Sequence, residues 1–239
     1  MTEYALYLES GPQHRKTMVH VHALLGCMAN GPTTEAALAA TPDAIRAYLR
    51  FLKRAGEAID TEEPFTTRVA EHITEGYWLG NGSPQVWFGP DLDPVSDAEL
   101  STFTARLERL REEIAGWADT LDDAALDARV EGSSRSTRAI LLHVLGPTGA
   151  YLSPVLGTVS GISRLQTAAD RGQVPLPEAL RQATALVVAR LRTVTAEERA
   201  RVVQRPNELR TLRKAFRRML EHDWEHLVEL SRRPGGPRI

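Results

Sequence analysis

The stretch DAELSTFTARLERLREEIAGWADTL, residues 97 to 121, carries Leu100, Phe103, Leu107, Leu110, Ile114 and Trp117 at spacings of three and four. Apolar residues at that interval line one side of an α-helix and leave the charged residues between them facing water. Ser96 or Asp97 stands where an N-cap belongs, and Pro94 marks a boundary just before it. From here onward the chain reads as helix. TRAILLHVL (137–145) comes after GSSRS, in which Ser133, Ser134 or Ser136 can cap. PLPEALRQATALVVARLRTV (175–194) has Pro177 close to its start, and RPNELRTLRKAFRRMLEHDWEHLVELSRR (205–233) stops at Pro234-Gly235. Four such helices predict a bundle, because each can hide its apolar stripe only against the others.

Upstream the period is different. YALYLE (4–9) and TMVHVHA (17–23) are rich in β-branched and aromatic residues, and the Gly- and Pro-bearing SGPQHRK between them suits a hairpin. A helix then starts at TTEAALAA with hydroxyl caps and an early glutamate. Thr41-Pro42 predicts a break, with Thr41 capping a second helix, DAIRAYLRFLKRAG, that ends at Gly56 and covers the hairpin through Ile45, Tyr48, Leu49 and Leu52. RVAEHITEGYWLG and PQVWFG predict two short strands around the turn GNGSP. The fold class is therefore α+β: a small sheet-and-helix domain with its linker over residues 1–95, then an all-α bundle over 96–239.

Composition narrows the function classes. The 239 residues are 42% hydrophobic and 25% charged, enough apolar material for a packed core. A net charge of -2 supplies no basic field to draw the chain onto nucleic acid or an anionic membrane. The single cysteine, Cys27, cannot close an internal disulfide, and MTEYALYLES lacks the basic start and apolar run of a leader, so the expectation is a cytoplasmic protein. No stretch reads as approaching the ~20 apolar residues of a spanning helix. Neither a P-loop, nor a Gly-rich dinucleotide fingerprint, nor a GxSxG elbow occurs.

The segment HALLGCMANGPTTEAALAATPDAIRAYL (22–49), placed after strand, turn and strand, resembles the HicB-type antitoxin fold. Leu25, Gly26, Cys27, Gly31, Thr34, Glu35, Ala36 and Ala37 carry the likeness over about 55 residues. It departs at His22-Ala23, where that family has a proline and an acid. The resemblance implies a small sheet packed on helices and used for contact with a protein partner. The DNA-binding appendage usual in that family is not visible.

LEHDWEHLVEL (220–230) raises the chemical question. At about 100° per residue, His222 and His226 lie one turn apart on one side of a helix and can converge on one ion. His143, beside Ala139 and Ala150 on a helical wheel, is the third candidate ligand. Three neutral imidazoles around a divalent ion leave a position for water or substrate, the arrangement of a catalytic site. A bundle with one histidine in its second helix and His-x-x-x-His in its fourth resembles the DinB-like metalloproteins, over about 97–232. That resemblance implies a metal-dependent hydrolase or thiol S-transferase acting on a small molecule, and a homodimer; imidazole ligands suit zinc, nickel, copper or iron, with zinc or nickel foremost. Gly146-Pro147 should kink or end the second helix just after His143.

Competing readings attach to the same residues. His222 and His226 flank the stripe of Leu212, Phe216, Met219, Leu220, Leu227 and Leu230, where ordinary boundary histidines also sit. Asp223 can orient a ligand imidazole, but pairing with an arginine, Arg217 or Arg218 or one on a facing helix, accounts for it better. Trp224 points away from both histidines, as packing. His20, His22 and Cys27 could form a soft nitrogen–sulfur site, yet strand histidines on a solvated face and a buried small thiol explain them without chemistry. Arg205, Arg210, Arg213, Arg217 and Arg218 read as the solvated side of the last helix, or as a setting for an anion at the bundle mouth. Glu225 and Glu229 stand near the pair but offset from it, and neither is assigned a role. Against the enzyme stands a regulatory, antitoxin-like module whose metal site is vestigial.

Overall fold

The computed structural model describes residues 1–130 and 134–239. Ser133, one of the three candidate caps, lies outside the described residues. The chain is mixed α+β, with a four-stranded sheet at the N-terminal end succeeded by helices. Strands β1 (Thr2–Ser10) and β2 (Arg15–His20) form the expected antiparallel hairpin, with Tyr7 opposite His20 and Ser10 opposite Thr17. A third strand, β3 (Met28–Thr33), pairs antiparallel with β2 on the far edge. Helix α1 (Thr34–Arg54) then crosses back over one face, and β4 (Phe65–Ile73) joins β1 in parallel, giving the order β3-β2-β1-β4.

Helix α1 runs unbroken through Pro42, contrary to the break expected at Thr41-Pro42. Thr33 caps it by accepting from the Ala36 amide, and the Thr41 hydroxyl turns inward to donate to the Ala37 carbonyl at 2.8 Å. Pro42 lies on the exposed side, where water can reach the carbonyl that its missing N–H leaves free. Of the two strands expected around GNGSP, only β4 forms. PQVWFG is a turn at Pro84-Gln85 followed by irregular backbone, and the segment lays Leu79, Val86 and Phe88 against Tyr7 and Ile73 of the sheet.

Helix α2 (Asp97–Ala118) opens with a capping box in which Ser96 and Glu99 satisfy each other's amides. Ser136 caps α4 (Thr137–Leu145), and Gly146-Pro147 ends it as expected. After α4 come α5 (Thr148–Leu156), α6 (Ile162–Asp170) and α7 (Leu176–Leu191). The last long helix, α9 (Leu212–Ser231), starts seven residues later than the segment 205–233 predicted, because Val203–Arg205 and Glu208–Arg210 pair as a hairpin, β5 and β6, and the cap at Thr211 opens the helix only beyond it. With the one-turn helices α3 (Asp123–Asp127) and α8 (Ala196–Ala200), the C-terminal part holds eight helices among the described residues where four were expected. The extra ones are short links that periodicity over long windows passes over.

One stretch meets the length and composition of a membrane span, contrary to the expectation of none: Thr137–Leu156, with mean hydropathy 1.4. It is broken at Gly146-Pro147 into α4 and α5. Ile140, Leu141, Val144, Leu145, Leu152 and Val155 from it are buried in the protein core.

That core is continuous from sheet to helices. Trp224 of α9 sits against Tyr48 and Phe51 of α1, with ring centroids 4.9 and 5.3 Å apart. Arg106 of α2 grips Glu57 through two 2.7 Å bonds and donates to the Leu25 carbonyl, which also accepts from Tyr48. Helix α1 and the turn at Leu25 are thereby fixed against the Trp224 side of α9 and against α2.

Candidate metal centre

His222 and His226 project from α9 one turn apart, and His143 reaches them from the last turn of α4. The three can each offer one ring nitrogen, all within 4.8 Å of one another. His143 Nε2 and His222 Nε2 are 3.2 Å apart. Two nitrogens held at 2.0–2.1 Å from one ion at the tetrahedral angle would be separated by about 3.3 Å, so this pair already has a ligand spacing. His226 meets both other rings face to edge, while His143 and His222 are tilted by 47°, all with centroids 4.6–4.9 Å apart.

Each α9 histidine is turned outward by a carboxylate on its other nitrogen. His226 Nδ1 lies 2.8 Å from Glu229 Oε2, and Arg135 braces the same carboxylate oxygen at 2.8 Å. His222 Nδ1 faces Asp223 Oδ1 at 3.4 Å, while Arg111 of α2 donates to Asp223 Oδ2 at 2.7 Å. With Nδ1 carrying the proton toward the carboxylate, Nε2 keeps its lone pair for a ligand bond. Burial would raise the carboxyl pKa values of Asp223 and Glu229, but Arg111 with His222, and His226 with Arg135, hold them below the usual range. Burial first, and then the two neighbouring imidazoles, push His143 down to about 4; burial likewise lowers His222. Both rings are therefore neutral near pH 7, the form that binds a metal.

No family model matches the chain, and no curated protein or solved structure matches it either.

The centre opens on a cavity of about 420 Å³. His143, His222, His226 and Tyr151 form its helical side, and the N-terminal region supplies Lys16, Trp78 and Asn81 opposite. The sequence placed the three histidines together but missed this second wall, since nothing local ties residues 16 and 78–82 to α9. Arg111 and Glu229 were also missed as supports. Arg111 left a signal: a charge inside the stripe of Leu107, Leu110 and Ile114 has to find a buried partner.

Other expectations separate. Asp223 takes its arginine from a facing helix, as anticipated, and reaches His222 as well. Trp224 is packing. The arginines are not one solvated face: Arg217 is buried between Asp91 and Glu221, Arg213 pairs with Glu99, and Arg205 and Arg210 belong to the β5–β6 hairpin. His20 is buried, not solvated, and meets Glu221 at 2.9 Å. His22 packs on Tyr7 and Phe88, and burial pushes the Cys27 thiol far up, which leaves it a small hydrophobe.

Proposed function

We propose that His143, His222 and His226 hold one divalent ion, zinc or nickel, and that the chain is a DinB-like metal-dependent enzyme. The reading is of a hydrolase or thiol transferase that works on a small molecule in the adjoining cavity. One observation carries it: two imidazoles are aimed by Glu229 and Asp223 so that their free nitrogens converge with that of His143 at the cavity wall. His20 also has a carboxylate partner, Glu221, but it stands apart from the other histidines; the convergence of three ring nitrogens within 4.8 Å is what sets this group apart. An ion held by three imidazoles supplies Lewis acidity and lowers the pKa of a water or thiol beside it.

The chain's own groups do the rest. Asp223 and Glu229 hold the ligand rings in place. Glu225 lines the same cavity and accepts a hydrogen bond from Asn30 at 3.2 Å. In this reading the HicB-like N-terminal region is part of the enzyme as well as a surface for a protein partner.

The test is elemental analysis of untagged protein beside His226→Ala and the triple variant His143→Ala, His222→Ala, His226→Ala. About one ion per chain, lost in the variants while the helical circular dichroism is kept, supports the site. A chain that stays free of metal after reconstitution removes it.

A further inference from the structure

The far wall of the cavity is built with as much support as the metal centre. Glu9 at the end of β1 accepts from the Gly82 and Ser83 amides at 2.6 and 3.1 Å and so pins the loop 76–83 to the sheet. A Cβ on Gly80 would collide with the Lys16 carbonyl, and one on Gly82 with the Arg218 guanidinium. Both glycines allow the loop to lie directly on those two residues. Lys16 and Trp78 are each held at positive φ, 55° and 57°, without being glycine. Such conformations persist where the surroundings impose them, and they gather at binding sites.

The charges in this wall do not cancel. Arg135 is paired with Glu229, and Glu221 is taken up by His20 and Arg217. Lys16 and Arg218 remain, and neither has a carboxylate within ion-pair distance among the described residues; Lys16 bonds to Asn81, and Arg218 lies 5.7 Å from the centre of the Tyr151 ring. Against them the cavity sets Glu225, together with Glu221, whose carboxylate is already held by Arg217 and His20. Two unpaired cations beside Glu225, inside a cleft with protein walls, attract an anion more strongly than the same charges on an open surface. Trp78 is 54% exposed next to them, an apolar plate with no protein partner on its outer side among the described residues.

We propose that Lys16 and Arg218 bind the anionic group, carboxylate or phosphate, of the small-molecule substrate, with Trp78 covering its carbon skeleton. This deepens the metal-enzyme reading and rests on it for the word substrate. It shares specificity between the two parts of the chain: α9 supplies Arg218 beside the histidines, and the β1–β2 turn with the 76–83 loop supplies Lys16 and Trp78 across the cavity.

The test uses the full chain freed of metal with a chelator, at fixed ionic strength. Tryptophan emission is titrated with succinate, with inorganic phosphate and with uncharged succinamide, and calorimetry runs in parallel. Saturable binding of at least one dianion, absent for succinamide and weakened about tenfold or more in Arg218→Gln and Lys16→Gln, is the expected result. Trp78→Phe should abolish the emission change while calorimetric binding remains. Which dianion binds more tightly tells a carboxylate site from a phosphate site. Non-saturating titrations with both dianions, an equal response to succinamide, or full affinity in both charge variants with native circular dichroism would overturn the proposal. Because the protein is metal-free, failure here is separate from failure of the ion to bind in elemental analysis.

Discussion

Asp223 stands between Arg111 and His222, 2.7 Å from the guanidinium on one oxygen and 3.4 Å from the imidazole on the other. The ion pair joins α2 to α9 inside the core, and the Asp223 oxygen that the guanidinium reaches at 3.4 Å also faces the His222 ring. Asp223→Asn keeps the shape and removes the charge. Outer carboxylates of this kind are worth about 10- to 100-fold in metal affinity, and a buried guanidinium left without its partner costs roughly 3–5 kcal/mol. Zinc competition against a chromophoric chelator, together with urea melts, should show both losses. Unaltered zinc affinity would mean that packing alone orients His222.

His22 gives the fold an acid-sensitive point away from the metal centre. Neither of its ring nitrogens has a hydrogen-bond partner among the described residues, and burial, reinforced by Arg217, lowers its pKa from 6.5 to about 3. Between those values the unfolded chain binds a proton that the folded chain does not. Stability therefore falls as pH drops through that window and levels off beneath it. His22→Phe keeps the aromatic packing on Tyr7 and Phe88 and removes the titration. The variant should keep on the order of 2 kcal/mol more of its neutral-pH stability at about pH 4.5 than the parent does. Equal acid losses in urea melts of the two proteins would refute this.

The sequence revealed what is periodic or local. Leu100, Phe103, Leu107 and Leu110 announce α2, and Ser96 and Ser136 mark helix starts, because cap and stripe are properties of neighbouring residues. The spacing of His222 and His226 is likewise local. Strand β3 escaped because MANGPT carries Asn, Gly and Pro, which are poor strand formers; Pro32 is tolerated there because β3 is an edge strand. The wall of Lys16, Trp78 and Asn81 escaped for another reason. Its place beside α9 is set by tertiary contacts of Glu9 and Gly82, which leave no spacing to read.

Pro42 offers a check on the continuity of α1. A proline at an exposed helix interior costs about 3 kcal/mol relative to alanine in host peptides, and part of that is recovered through the stiffer unfolded chain. Pro42→Ala should raise stability by about 1–2 kcal/mol, read as a higher urea midpoint with unchanged slope. A loss of stability would instead indicate two helices meeting at a break that the proline helps to shape.

The two parts of the chain share one buried aromatic contact. Trp224 is 1% exposed, and the rings that cover it, Tyr48 and Phe51, both come from α1. Trp224→Ala should cost about 3–5 kcal/mol, as other large aromatic truncations in cores do. Residues 96–239 expressed alone would also leave that indole in water and strip Arg106 of Glu57 and the Leu25 carbonyl. The full chain should then unfold in one cooperative transition tracked equally by tryptophan emission and helical circular dichroism, and the fragment should show no cooperative transition at all. A fragment that melts sharply and keeps the helicity expected of α2 to α9 would show that the bundle folds without the sheet. The shared packing around Trp224 would in that case be a docking contact between two independent domains, and the cavity wall carrying Lys16 and Trp78 could move relative to the histidines.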